Sequence, residues 1–207
     1  MKMTCEGDAY VLWRCRRRGF RMEWSHRGFR QLMKELKIGI PCDGTRTLAL
    51  AVYLKNEFEI DYSVVINGVT ANEVYAFMTT ANNMETIHNY TLRTIPKDHR
   101  RHQDGSESVT WTTYTHYPGF PFPTFFDDYL TLFPAKTTIK HNISSLMGML
   151  QGELFYYCSD TSDGTGVVFR ERSRFRVSKL FPYSSERITA GHVDALQRIK
   201  GVMEEKA

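Results

Sequence analysis

The residues best suited to chemistry in this chain are arginines. Arg14, Arg16, Arg17, Arg18 and Arg21 cluster with Trp13, Phe20 and Trp24. Guanidinium groups interleaved with aromatic rings suit phosphate backbones and unstacked bases. The plainer alternative is an aromatic core under solvated arginines. Arg46 follows Asp43, Gly44 and Thr45, a turn and N-cap that open a helix. Free backbone N–H groups and a guanidinium fork at that point can grip a phosphate. Arg170, Arg172, Arg174 and Arg176 alternate on one strand face, with Phe169 and Phe175 on the other. Four like charges in a row persist when solvated, paired with acids across the sheet, or matched to an anion. Solvation is the expectation.

Other polar groups offer less. Asp98-His99-Arg100-Arg101-His102 is the most polar stretch and reads as an exposed, mobile loop, or more sharply as a phosphate-contacting one. His99 and His102 lack a third ligand nearby, so no metal is expected. Asp127 and Asp128 are sequence neighbours and read as charges at a helix start rather than as a catalytic pair. No Walker loop, G-x-G-x-x-G, G-x-S-x-G or H-E-x-x-H motif occurs. The four cysteines, Cys5, Cys15, Cys42 and Cys158, show no ligand spacing, which argues against zinc and against a disulfide scaffold. No cofactor is expected, and a binding protein is favoured over an enzyme.

Elements must hold these groups in place. Tyr10 to Arg18 reads as a short helix. Phe29, Leu32, Met33 and Leu36 form one face of a second helix, stopped by Gly39 and Pro41. A third helix carries Leu48, Leu50, Val52 and Leu54. Ile60 to Ile66 reads as a strand ended by Asn67-Gly68. Thr70-Ala71-Asn72-Glu73 is a capping box that opens a helix to about residue 82, with Val74, Phe77 and Met78 inward. Thr86 to Ile95 and Ser108 to His116 read as strands, the second alternating with period two. Pro123, Thr124 and Asp127 signal a short helix to Phe133. Residues 137–150 lean towards strand in their first half. Glu153 to Cys158 and Val167 to Val177 flank an Asp-Gly turn and predict an antiparallel hairpin. Ser184 or Ser185 caps a last helix whose stripe is Ile188, Val193, Leu196, Ile199 and Met203.

The fold class that follows is α+β. A basic helical N-terminal module, residues 1–58, precedes an antiparallel-sheet domain with packed helices, residues 59–207. The net charge is +4 over 207 residues, and it is uneven. Residues 1–38 hold ten Lys or Arg against four Asp or Glu, the usual footprint of a polyanionic partner. The chain has no window of about 18 apolar residues and no apolar leader core. The expectation is an intracellular protein, nuclear or cytoplasmic, without a membrane partner.

Two resemblances extend this reading. Leu32, Leu36, Gly39-Ile40-Pro41 and Gly44-Thr45-Arg46 resemble the SAP module, a helix-loop-helix that binds DNA. The spacing from Leu36 to Gly39 is one residue short of that pattern, and Asp43 places a negative charge in its loop. The resemblance covers about residues 27–54 and implies nucleic acid as the partner. Arg16, Arg17, Arg18, Arg21 and Arg46 are then the expected phosphate contacts, with a protein partner as a further possibility. The C-terminal part is loosely similar to the NTF2-like family of cone-shaped barrels, which includes dehydratases and isomerases. That similarity implies a ligand-binding barrel or small-molecule enzyme whose pocket is lined by Tyr114, His116, Asp128 and His141, with a histidine as general base.

Overall fold

The computed structural model describes residues 10–14, 21–25, 55–118, 123–145, 148–179, 181 and 183–207. The chain divides into two units, residues 1–48 and 49–207. In the first, β1 (Tyr10–Arg14) pairs antiparallel with β2 (Arg21–Ser25), Tyr10 opposite Ser25 and Arg14 opposite Arg21. The expected helix at 10–18 is therefore corrected to a strand over its first half. Tyr, Val and Trp in this run are residues that fit a pleated surface. The expected helix-loop-helix of residues 27–54 lies outside the described residues.

The second unit is one seven-stranded antiparallel sheet, in the order β3-β9-β8-β7-β6-β5-β4, with a long C-terminal helix. Strand β3 (Lys55–Asn67) ends where Gly68 turns with φ +74°. Helix α1 (Ala71–Met78) opens with the expected capping box: Thr70 and Glu73 hold each other's backbone N–H groups. Val74, Phe77 and Met78 are buried, as their spacing predicts. A short α2 (Asn83–Ile87) follows, so β4 (Thr91–Arg101) starts later than expected and runs further. The expected loop after Ile95 is largely this edge strand. Pro96 interrupts its ladder at a bulge and its tip is charged, as an unpaired sheet edge requires.

Strands β5 (Glu107–Thr115), β6 (Thr124–Phe133) and β7 (Thr138–Ser145) continue as a meander. The expected helix at 123–133 is corrected to β6. Thr124, Phe126, Asp128, Leu130 and Leu132 are buried while Phe125 and Tyr129 are exposed, a period of two rather than 3.6. The predicted hairpin is present as β8 (Leu150–Asp160) and β9 (Gly166–Ser178), turning at Gly164 with φ +68°. Phe169, Phe175, Ile139 and Leu154 fill the inner face.

The last helix, α3 (Ser185–Glu204), is capped by Ser184 and buries Leu196, Ile199 and Met203. It packs against β3. Four hydrogen bonds tie the two: Gln197 to Tyr62 Oη at 2.9 Å, Lys200 Nζ to the Val65 carbonyl at 2.7 Å, and the Asn67 backbone N–H and side-chain amide to Glu204 at 2.9 and 2.8 Å. Outside, the β9 arginines are not simply solvated. Arg170 bonds Asp61, Arg174 bonds Glu59 and Arg176 bonds Glu57, all on β3.

Candidate functional site

A cavity of about 170 Å³ lies between the inner sheet face and α3. Period-two alternation in β5 to β9 turns every second side chain into it. Trp111, Phe126 and Phe175 supply aromatic surface, and Ile143, Leu150 and Leu154 supply aliphatic surface. Gly152, opposite Phe175 across β8 and β9, leaves room for that ring: a Cβ there would lie 2.7 Å from it. At one end Tyr90, Tyr117, Phe181 and Tyr183 form a contiguous cluster with ring centroids 5.6–6.1 Å apart. Tyr183 donates to the Pro118 carbonyl at 2.7 Å, and the Arg187 guanidinium lies 4.4 Å from its ring centre. Burial pushes the phenols of Tyr117 and Tyr183 up to about 12, so both stay protonated near neutrality.

The polar part of the wall starts from Asp128 on β6. Its carboxylate is almost wholly buried and each oxygen has a partner. His141 Nε2, on β7, lies 2.8 Å from Oδ1, and Thr113, on β5, donates to Oδ2. Three adjacent strands thus position one group: Asp128 pairs with Trp111 and Ile143 in register, which sets Thr113 and His141 on either side. With Nε2 engaged, the other ring nitrogen of His141, Nδ1, is the one left for a ligand.

Histidines also line the α3 side. His192 on α3 and His88, just after α2, both border the cavity, ring centroids 6.3 Å apart. Burial pulls His88 down to about 4; the neighbouring His192 adds to this and Glu171 opposes it. His88 is therefore neutral at pH 7.

The structure brings together only two of the four residues expected at a pocket. Asp128 and His141 line the cavity and touch. Tyr114 points to the opposite sheet face, where it packs on Phe125 at 5.8 Å, because it alternates with Trp111, Thr113 and Thr115, which face in. His116 lies beyond the end of β5, exposed, and its N–H donates to the Tyr90 carbonyl. His88, His192, Thr113 and Trp111 were missed. The alternation of β5 was a usable signal for Thr113 and Trp111, but nothing local marks His88 or His192. Of the expected phosphate contacts, Arg16, Arg17, Arg18 and Arg46 lie outside the described residues, and only the backbone of Arg21, in β2, is described. Among the described residues no group of three His, Cys, Asp or Glu side chains is placed to hold a metal ion, and no helix is long and apolar enough to cross a membrane.

No family model and no curated protein matches the sequence. Solved structures match the fold. The Zhui aromatase/cyclase from Streptomyces sp. R1128 has a TM-score of 0.57 at 10% identity, over 73% of this chain and 96% of that one. Truncated norcoclaurine synthase from Thalictrum flavum has a TM-score of 0.53 at 9% identity, over 72% and 94%. A START superfamily protein from Mycobacterium smegmatis has a TM-score of 0.51 at 11% identity, over 72% and 95%. The second unit therefore has this helix-grip-like fold, an antiparallel sheet closed by a C-terminal helix. The finding corrects the DNA-binding, SAP-like and nuclear expectation, since the similar structures are cyclase, synthase and START proteins. The physical reason is visible in the second unit. Three of the four arginines on its most arginine-rich strand face are paired with Glu57, Glu59 and Asp61, which weakens the field offered to a polyanion.

Proposed function

We propose that the second unit takes up a small, ring-bearing organic molecule in the cavity between its sheet and α3. The cavity itself carries the proposal: aromatic and aliphatic walls with a few converging polar groups inside are the usual make-up of a small-molecule site. Its size sets the ligand's scale, because a dry cavity of about 150 Å³ accepts benzene. One ring with a short polar substituent fits without rearrangement. The fold adds support, since an aromatase/cyclase and a norcoclaurine synthase, named for chemistry on small molecules, share it.

Calorimetry with toluene, phenol and 4-phenylbutan-2-one tests this reading. Saturable binding is expected for at least one of the three. Ile143→Trp, which adds bulk to the cavity wall, should abolish that binding while the melting transition stays cooperative. No saturable binding of any of the three, or binding indifferent to Ile143→Trp, overturns the reading.

A second reading, that the cavity turns its ligand over, is favoured by the contact of His141 with Asp128 inside it. A carboxylate that orients an imidazole and stabilises its protonated form is the usual arrangement of a general base. His141 is then the group that takes a proton from the ligand, and Asp128 is its positioning residue.

A further inference from the structure

The acids around the cavity already have partners inside the fold, and its one guanidinium does not. Asp128, the only carboxylic acid among the described wall residues, holds His141 and Thr113. Glu171 is almost wholly buried and is not on the wall; it accepts from Ser173 Oγ at 2.7 Å and has His192 Nδ1 2.8 Å away. Arg187, in the first turn of α3, is the only Arg or Lys among the described wall residues. Its side chain has neither an ion pair nor a hydrogen bond among the described residues. The acids of its own helix are engaged elsewhere: Glu186 accepts from Ser185 at 3.2 Å, and Asp194 holds Arg198 and Asn89, each at 3.0 Å.

What Arg187 does have is a fixed seat. Its guanidinium carbon lies 4.4 Å from the ring centre of Tyr183, a buried ring whose hydroxyl is tied to the Pro118 carbonyl. A cation is held over an aromatic face by the ring's quadrupole, and this contact leaves the N–H fork without an oxygen to bind. The space beside it is open. Gly191, one turn further along α3, also lines the cavity, and a Cβ there would meet nothing within 4 Å. Arg187 itself is exposed, so it stands where the cavity meets water.

Resting on the small-molecule reading above, we propose that Arg187 selects the ligand's charge, and that the ligand is a ring carrying a carboxylate tail, with the ring inside and the carboxylate on the Arg187 fork at the mouth. Size argues for this division, because about 170 Å³ holds a ring and little more. A charged tail drawn inside would be stripped of its water at high cost, whereas at the mouth it keeps much of that water. Charge argues for the carboxylate. A guanidinium stays ionised, and its fork matches the two oxygens of a carboxylate. An ammonium tail would instead meet an unpaired cation of its own sign. Arg187 is thus a specificity residue. It takes part in no bond-breaking step, so its role is the same whether or not the ligand is turned over.

Calorimetry on the full chain at pH 7 compares three probes of one length: 3-phenylpropanoate, 3-phenylpropan-1-ol and 3-phenylpropan-1-amine, which is an ammonium ion at that pH. The wild type should bind the acid about tenfold more tightly than the alcohol at low salt, and the amine most weakly. That advantage should shrink in about 0.5 M NaCl, since Arg187 is exposed. Arg187→Gln should bring acid and alcohol to one affinity, and Arg187→Lys should keep part of the gap. Arg187→Glu should reverse the order, with the amine bound most tightly.

A tenfold gap that survives in Arg187→Gln overturns the proposal, because Arg187 then only packs on Tyr183 or the acid is held elsewhere. Equal affinity of the wild type for acid and alcohol, or preference for the amine, overturns it and leaves the small-molecule reading intact. So does binding of toluene, phenol or 4-phenylbutan-2-one with no binding of the acid. Failure of all six compounds to bind overturns both.

Discussion

Two neighbouring acids show how much one residue of phase decides. Asp127 and Asp128 are adjacent in β6 and so face opposite sides of the sheet. Asp127 sits outside, bonded to the half-exposed Lys97 at 2.7 Å and to Thr112 at 2.7 Å. Asp128 sits inside, holding His141 and Thr113. Their removal should cost very different amounts. Asp128→Ala leaves the buried Thr113 hydroxyl and the part-buried His141 imidazole unpaired and should destabilise the fold by about 2–3 kcal/mol. Thr113→Val removes one donor and should cost about 1 kcal/mol. Asp127→Ala breaks a pair with the half-exposed Lys97 and leaves the Thr112 hydroxyl without this partner, and should cost about 1 kcal/mol. Urea unfolding of the three variants checks the order, and equal losses for Asp127→Ala and Asp128→Ala would contradict it. In the sequence this pair reads as two charges at a helix start. Asp128 occupies a core position between Phe126 and Leu130, and a charged residue there hides the strand's period.

At the scale of elements, legibility follows the source of the signal. The capping box at Thr70, the β8–β9 hairpin around its Asp-Gly turn and the Ser184-capped α3 are read correctly because their signals are local: a side chain closing on its own backbone, a turn needing positive φ, an apolar stripe of period 3.6. Strand β6 is misread because Pro123, Thr124 and Asp127 imitate a helix start, while cross-strand pairing with β5 and β7 decides the outcome. The cavity is half legible for the same reason. Asp128 and His141 are reached from the sequence only through the resemblance to cone-shaped barrels, and His192 enters the site only because α3 packs across the sheet. Two glycines test these elements. Gly201, inside α3, faces open space, so Gly201→Ala should stabilise by about 1 kcal/mol through helix propensity alone. Gly166 starts β9 where a Cβ would lie 2.4 Å from the Ile66 carbonyl oxygen. Gly166→Ala must push backbone aside and should cost about 1–3 kcal/mol. Melting temperatures moving in opposite directions confirm both assignments; a gain from Gly166→Ala would show that β3 and β9 can separate at that end.

At the scale of the whole molecule, the buried ionisable groups tie stability to pH. His88 is drawn down to about 4 by burial and by His192, against an ordinary value near 6.5 in the unfolded chain. Between those values the unfolded state binds a proton that the folded state refuses, so ν for the unfolded chain is the larger and stability rises with pH. The contribution is complete above about pH 6.5, is lost as pH falls towards 4, and is on the order of 2–3 kcal/mol. For Glu171, burial pushes its carboxyl up but the positive charge of His192 and the contacts with His192 and Ser173 outweigh it, leaving it below the ordinary value. Its contribution is therefore present above the unfolded carboxylate value and is lost as pH falls further. The two losses have the same sign and follow one another, so acidification should loosen the α3 side of the cavity in two stages. Only the first belongs to His88. Replacing it with the uncharged His88→Gln should flatten the stability profile between pH 6.5 and 4 and leave the later fall, as Glu171 takes up its proton, in place. Urea unfolding midpoints of the wild type and His88→Gln from pH 2 to 8 make the comparison. Parallel profiles for the two proteins would mean that His88 opens to solvent without unfolding, and the α3 side of the cavity would then be the part of the fold that yields first.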